Sequence, residues 1–336
     1  MKRGHVKEKQ FAKTHFLDRR AIFVGLAAIP FIGRSADAEN FPTRPIRLVV
    51  PFGAGSIADI VARKVGDKAG VMLKQSFVIE NRPGAGGSIG ANVVAKAQPD
   101  GYTLCLGTVA SHAIAAALEP LPYNLATDFK AVVLLVTSAN LIAVNSSVPA
   151  KTLPEYFDHA RKKGVSLYVS GGVATTTQLL PELIRVRLSV PLQHVPAAKV
   201  GDSFNDLLAG RVDMMCYPAI GLQPYLESGA VRPLAVASPN RIKSLPDVPT
   251  LGDALGSKDY DLVSWFGVFA PAKIPDAIVS ILSNALSAAV LSTSDELEKI
   301  GVDARGWEAD RFDAFFRAEI PRWAELVRMT GVREQR

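Results

Sequence analysis

An aliphatic strand that breaks at a glycine turn and passes straight into an amphipathic helix, RLVVPFGAGSIADIVARKV from Arg47 to Val65, restricts this chain to architectures in which sheets are layered against helices. Apolar runs of strand length recur: IRLVVPF (46–52), SFVIEN (76–81), YTLCLG (102–107), KAVVLLV (130–136), NLIAVN (140–145), VSLYVSG (165–171), VDMMCYP (212–218), VRPLAVAS (231–238) and DLVSWFGVFAP (261–271). Helical patterns fill many of the intervals, which predicts an α/β fold with a largely parallel sheet. With 336 residues, 48% of them hydrophobic, the chain can bury cores for two domains of ordinary size.

Local signals place several helix boundaries. A helix from about Ser56 to Leu73 carries Ile57, Ile60, Val61, Val65 and Leu73 as its apolar stripe. Thr152 and Glu155 stand three apart as a capping box, with Pro154 tolerated in the first turn. Asp202 is expected to cap SFNDLLA, Ser88 to cap the helix after NRPGAGG, and Pro275 with Asp276 to open AIVSILSNALSAAVL. The helix from Ala309 to Arg328 is expected to kink at Pro321.

LVVPFGAGSIADIVA and LYVSGGVATTTQLL share one plan of buried strand, glycine turn, small hydroxyl residues and helix. If each begins its own lobe, two helix starts face one cleft. DLVSWFGVFAP reads as a strand returning to an existing sheet, so the first lobe is expected to be discontinuous, 39–139 plus 262–336, with 140–261 inserted as the second.

The net charge of +6 is mostly a property of the first 38 residues, which hold eight Lys/Arg against three acids and leave 30 basic and 29 acidic residues in the remainder. That removes the case for a nucleic-acid partner. Arg19-Arg20, an apolar run from Ala21 to Gly33 and Ala36-Asp37-Ala38 form an export signal with an A-x-A site, cut after Ala38, by the general secretory or the twin-arginine route. The run of about 13 residues is short for a membrane span, which needs roughly 20. Cys105 and Cys216, each inside a strand-like run, read as buried free thiols, with a single disulfide as the alternative. Five scattered histidines and no C-x-x-C or H-E-x-x-H give no support for a metal, and no cofactor is expected.

Three chemistries compete for the glycine turns. Gly53, Gly55 and Ala58 fit the spacing of a dinucleotide loop, but Pro51-Phe52 intervene before the first glycine and Glu80 lies 27 positions beyond it, past the usual spacing of about 20. Gly86-Gly87-Ser88-Ile89-Gly90 matches a nucleophile elbow in form, yet it follows the turn-forming Arg82-Pro83-Gly84 rather than a strand. The third reading needs no catalytic residue. Unpaired N–H groups at helix starts hold a carboxylate without any arginine, and two such starts grip a small organic acid from both sides.

FPTRPIRLVVPFGAGSIADIVAR, VIENRPGAGGSIGANVVAKAQPDGYTL, LLAGRVDMM, VRPLAVAS, LPDVPTL and WFGVFAPAKIP, in this order from about Phe41 to Val332, resemble the solute receptors of tripartite tricarboxylate transporters, the Bug family. The resemblance implies a type 2 periplasmic-binding-protein fold, two α/β lobes around a ligand cleft, in a monomeric, non-enzymatic protein that delivers an organic acid to the membrane permease subunits of a tripartite transporter. It nominates Phe52, Gly53, Ala54, Gly55, Ser56 and Asp59 on one side of the ligand and Gly172, Val173, Ala174, Thr175 and Thr176 on the other, with Asp59 read first as a structural acid that ties the first turn of its helix. Thr108, Ala110 and Ser111 come from the loop after the third strand, and Asp213 is a candidate for the distal part of the ligand or a capping acid. A receptor for signalling or scavenging, or an exported serine hydrolase, are the alternatives.

Departures from the family pattern are informative. Gly55-Ser56 stands where P-F-x-x-G-G is common, adding a hydroxyl. VPAAKVGDS replaces V-P-Y-K-G, so Ala197 removes an aromatic wall and leaves room for a ligand bulkier than aspartate or glutamate, or for a loop of another shape. Pro181 should bend or delay the helix after the Thr175-Thr176-Thr177 run. His112 and Trp265 read as core residues, with contact to an aromatic acid as the alternative reading.

Overall fold

A computed structural model describes residues 40–197, 199–257, 260 and 262–332; the expected export signal lies outside the described residues. β1 (Ile46–Val50) leads through the glycine turn into α1 (Ile57–Leu73), β2 (Phe77–Asn81) into α2 (Ser88–Ala95), and β3 (Thr103–Thr108) through a wide π turn (Ala110–Ile114) into α3 (Ala115–Leu118). β4 (Phe129–Ser138) and β5 (Asn140–Asn145) are separated by Ala139 alone. Then come α4 (Leu153–Lys163), β6 (Ser166–Val169), α5 (Thr176–Leu188), β7 (Leu192–His194), α6 (Val200–Leu208), β8 (Met214–Pro218), α7 (Ala219–Glu227), β9 (Val231–Ala237) and α8 (Leu251–Leu255). The chain closes with β10 (Ser264–Pro271), α9 (Asp276–Ser292), α10 (Ser294–Lys299), β11 (Asp303–Glu308) and α11 (Ala309–Thr330).

These strands form two sheets, one in each α/β lobe, ordered β11-β4-β10-β3-β1-β2 and β7-β6-β8-β5-β9. Both are mixed rather than largely parallel. β1 runs parallel to β2 and β3, and β6 parallel to β7 and β8, but β10 is antiparallel to β3 and β4, β11 to β4, and β5 to β8 and β9. The reason is the route of the chain. A strand arriving from the other sheet, as β5 and β10 do, starts at the edge where the parallel strands finish, and so runs against them.

Local chemistry explains most boundaries. Ser56 caps α1 by accepting from the Asp59 N–H, and Thr152 caps α4 by accepting from the Glu155 N–H. The return arm of that box is displaced: Glu155 accepts from the Lys151 N–H. Two cap expectations are corrected. α6 begins at Val200 after an extended Lys199, so Asp202 sits in its first turn, and α2 begins at Ser88 after a left-handed Gly87. Thr250 and Asp253 form a complete capping box on α8. α5 and α11 both continue through their internal prolines, Pro181 and Pro321.

α11 ties the two lobes together. Phe312, Phe316 and Trp323 from its inner face are buried in one core cluster with Leu134 and Phe269 of the first sheet and Leu183 of α5, each worth roughly 2–3 kcal/mol of burial. Glu319 completes the anchor, accepting from the indole N–H of Trp265 at 3.1 Å and of Trp323 at 2.6 Å. Cys105 and Cys216 are buried free thiols. Among the described residues, no helix is long and apolar enough to cross a membrane.

Candidate functional site

The C-terminal ends of β1, β3, β6 and β8 and the first residues of β10 converge on one cleft of about 170 Å³, the position at which open α/β sheets collect ligands. Its wall holds Phe52, Ala58, Thr108, Val109 and Ala110 from the first lobe, joined by Ser264, Trp265 and Phe266 of β10. The second lobe contributes Gly171, Thr175, Thr176 and Thr177 with Tyr217 and Pro218. No Lys, Arg, Asp, Glu or His lines it among the described residues.

The starts of α1 and α5 therefore meet at a shared space, and their turns are built alike. In the first, Asp59 accepts from the Gly55 N–H at 3.0 Å; in the second, Gln178 accepts from the Ala174 N–H at 2.8 Å. Each acceptor lies four residues beyond its donor. One amide of each turn is thus satisfied internally, while the N–H groups of Ile57, Ala58, Thr176 and Thr177 take no partner among the described residues, as the first turn of a helix requires. Together with the two helix dipoles they present partial positive charge to the cleft without any cationic side chain, an arrangement suited to an anion.

Second-layer contacts hold both turns. Asp59 is gripped by Arg63, whose Nε donates to it at 3.1 Å, and also by the Asn81 amide at 3.0 Å. Arg63 above all, then the Gly55 N–H and Asn81, hold its carboxyl down at about 2 against the opposing effect of burial. In the other lobe, the Gln178 amide nitrogen donates to His194 Nδ1 at 3.2 Å, and His194 Nε2 meets Ser170 Oγ at 2.9 Å. Burial lowers the His194 pKa, in keeping with the neutral ring this pattern needs.

The structure sorts the sequence candidates. Phe52, Thr108, Ala110, Thr175 and Thr176 line the cleft. Gly53, Ala54 and Gly55 are exposed, and Gly172, Val173 and Ala174 half-buried, in the turns outside that wall. Ser56 and Asp59 serve their own turn, as cap and as brace. Ser111 is turned into the core, where it accepts from the Thr108 N–H at 3.1 Å and pairs with His112 Nδ1 at 2.9 Å. His112 is fully buried and stacked on Phe269 at 4.4 Å.

Asp213 is not at the cleft. It precedes β8, whose far end, Pro218, reaches the wall, and it is held by Lys163 Nζ at 2.7 Å and Ser166 Oγ at 2.8 Å. Four to five strand residues, about 15 Å, separate it from the ligand edge. Missed residues include Gly171, Thr177, Tyr217, Ser264 and Phe266. Tyr217 ends the strand run VDMMCYP, at the carboxyl end where open α/β sheets collect ligands, whereas Phe266 stands near the start of β10, which reaches the same edge because that strand is antiparallel. Burial raises the pKa of the Tyr217 phenol, which keeps it a protonated donor.

A family model described as the tripartite tricarboxylate transporter family receptor matches residues 61–332. Among solved structures, Rpa4515 of R. palustris with adipate is 33% identical, with a TM-score of 0.77, covering 87% of this chain and 99% of that one. The periplasmic binding protein BugD is 31% identical, with a TM-score of 0.74 and coverage of 88% and 100%. MatC from Rhodopseudomonas palustris with bound malate is 32% identical, with a TM-score of 0.72 and coverage of 85% and 100%.

Proposed function

We propose, from the premise that this chain belongs to the tripartite tricarboxylate transporter receptor family, that it binds a small organic acid between its lobes and delivers it to the membrane subunits of a tripartite transporter. One observation carries this reading: helix starts from two different sheets bring unpartnered amides to a single cleft without any cationic side chain. Such a site solvates a carboxylate with main chain in place of water, and needs no reaction to do so.

We assign the lobes to 39–139 plus 262–336 and to 140–261, joined by the Ser138–Asn140 crossing and the return into Ser264. The protein acts outside the cytoplasm after removal of residues 1–38; the periplasmic description of its relative BugD supports this. The ligand contacts we assign are Phe52, Thr108, Ala110, Thr175 and Thr176, with Gly53 to Ser56 and Gly172 to Ala174 shaping the turns and Asp59 bracing one of them.

Mass spectrometry of small molecules released from the purified protein, followed by thermal-shift titration of the emptied protein with a panel of organic acids, tests the reading. A true ligand at a hundred times its Kd stabilises by about 2.7 kcal/mol. A folded, emptied protein whose melting temperature responds to no carboxylate at millimolar concentration would refute the receptor assignment.

A further inference from the structure

Hydroxyl groups in the cleft wall are spent on one another. Thr175 pairs with Thr177, Thr176 with Ser264, and Thr108 with Ser111. Tyr217 is the exception: among the described residues its phenol oxygen has no hydrogen-bond partner, although the residue is half-buried in the wall. Its ring is held in place. A Cβ on Gly171 would stand 2.9 Å from Tyr217 Cε2 and one on Gly221 2.4 Å from Cε1, so the two glycines make a slot that only the ring fits. Phe204 closes the slot edge-on at 5.1 Å.

Across the cleft, Phe52 and Phe266 are half-buried, and among the described residues neither ring packs against another aromatic ring. Phe52 and Phe266 of the first lobe, backed by its core, and Tyr217 of the second lobe thus all stand in the one cleft wall. We propose that the cleft recognises an aromatic carboxylate of one ring and one charge, its ring held between Phe52 and Phe266 on one side and Tyr217 on the other, with the Tyr217 hydroxyl donating to it as a specificity-determining contact. This rests on the receptor reading above and names its ligand class.

Size and charge support that class. The cleft of about 170 Å³ slightly exceeds an apolar cavity of about 150 Å³ known to take up benzene in another protein. The amides of the two helix starts solvate a carboxylate, but with no Lys, Arg or His in the wall among the described residues, a second carboxylate would bring a second negative charge into the cleft with no cation to offset it. Dicarboxylates are therefore disfavoured.

Calorimetric titration of the emptied wild type and of Tyr217→Phe with benzoate, adipate and malate is the test, with melting temperatures to confirm that both proteins are folded. Benzoate is expected to bind about tenfold tighter than either dicarboxylate, and Tyr217→Phe, which keeps the ring, to weaken it about three- to tenfold. Adipate or malate bound as tightly as benzoate, or tighter, overturns the ligand class and leaves the receptor reading intact. Unchanged benzoate affinity in Tyr217→Phe overturns the role of the hydroxyl. Failure of the folded protein to bind any acid overturns the receptor reading and this proposal with it.

Discussion

Thr176 and Ser264, from different lobes, share a hydrogen bond of 2.8 Å between their hydroxyl groups. Asn140, at the crossing between the sheets, adds its amide to the same Thr176 oxygen at 3.1 Å. The first turn of α5 is thereby tied to the first residue of β10 at the rim of the cleft.

Ser264→Ala removes this tie but leaves the Asn140 bond. We predict a stability loss of about 1 kcal/mol and faster dissociation of the bound acid, because one contact between the lobes is gone. Urea denaturation and stopped-flow release measure the two effects; unchanged release would mean that the bond plays no part in retaining ligand.

Asp59 gives the turn before α1 a pH dependence of definite sign. Its carboxyl titrates at about 2 in the folded protein against an ordinary 3.8, so its contribution is complete above about pH 4 and disappears as pH falls through 2. Asp59→Asn should cost about 1.5–3 kcal/mol at pH 7, and the difference from wild type should narrow between pH 4 and pH 2. A gap that stays constant over that range would show that the ion pair with Arg63 contributes nothing.

His112 has the opposite electrical character. Burial pushes its pKa down to about 3 from 6.5, and its Nε2 has no partner among the described residues. The unfolded chain takes up this proton first, so the residue's contribution is intact above pH 6.5 and falls by about 1.4 kcal/mol per pH unit between 6.5 and 3. His112→Phe keeps the stack on Phe269 and removes the titration. Its stability should lie within about 1 kcal/mol of wild type at pH 7 and exceed it at pH 4.5, as read from thermal melts at both values.

Gly221→Ala tests the slot around Tyr217. The added methyl would lie 2.4 Å from the ring, which forces the tyrosine to move at a cost of about 1–3 kcal/mol, while alanine returns up to about 1 kcal/mol of helix propensity in α7. The expected result is a modest loss of stability with a larger, at least about tenfold, loss of ligand affinity. Wild-type affinity in this variant would show that the ring position is immaterial.

The sequence made the frame legible where local chemistry decides it. Ser56 and Asp59 mark the turn before α1 because a cap and a brace must lie within four residues of the amides they satisfy. β7 and β11 escaped notice: the first is three residues long, and the second reads DARGWE, with little apolar alternation. The cleft wall was only partly legible, since Tyr217 and Phe266 come from strands far apart in the chain and meet only after two sheets have formed. Asp213, open in the sequence between a ligand contact and a structural acid, lies just before β8 and is held by Lys163 and Ser166, whereas ligands collect beyond the strand ends.

Only Ala139 lies between β4 and β5, while the return from β9 to β10 runs through 26 residues that include α8. The two connections therefore differ in tolerance to insertion. One residue added at Ala139 would exchange the faces of β5 relative to β4, turning its buried side chains outward, whereas a longer return adds only a small loop-closure cost. Change in chain length between the lobes is open on the return path and closed at the pivot.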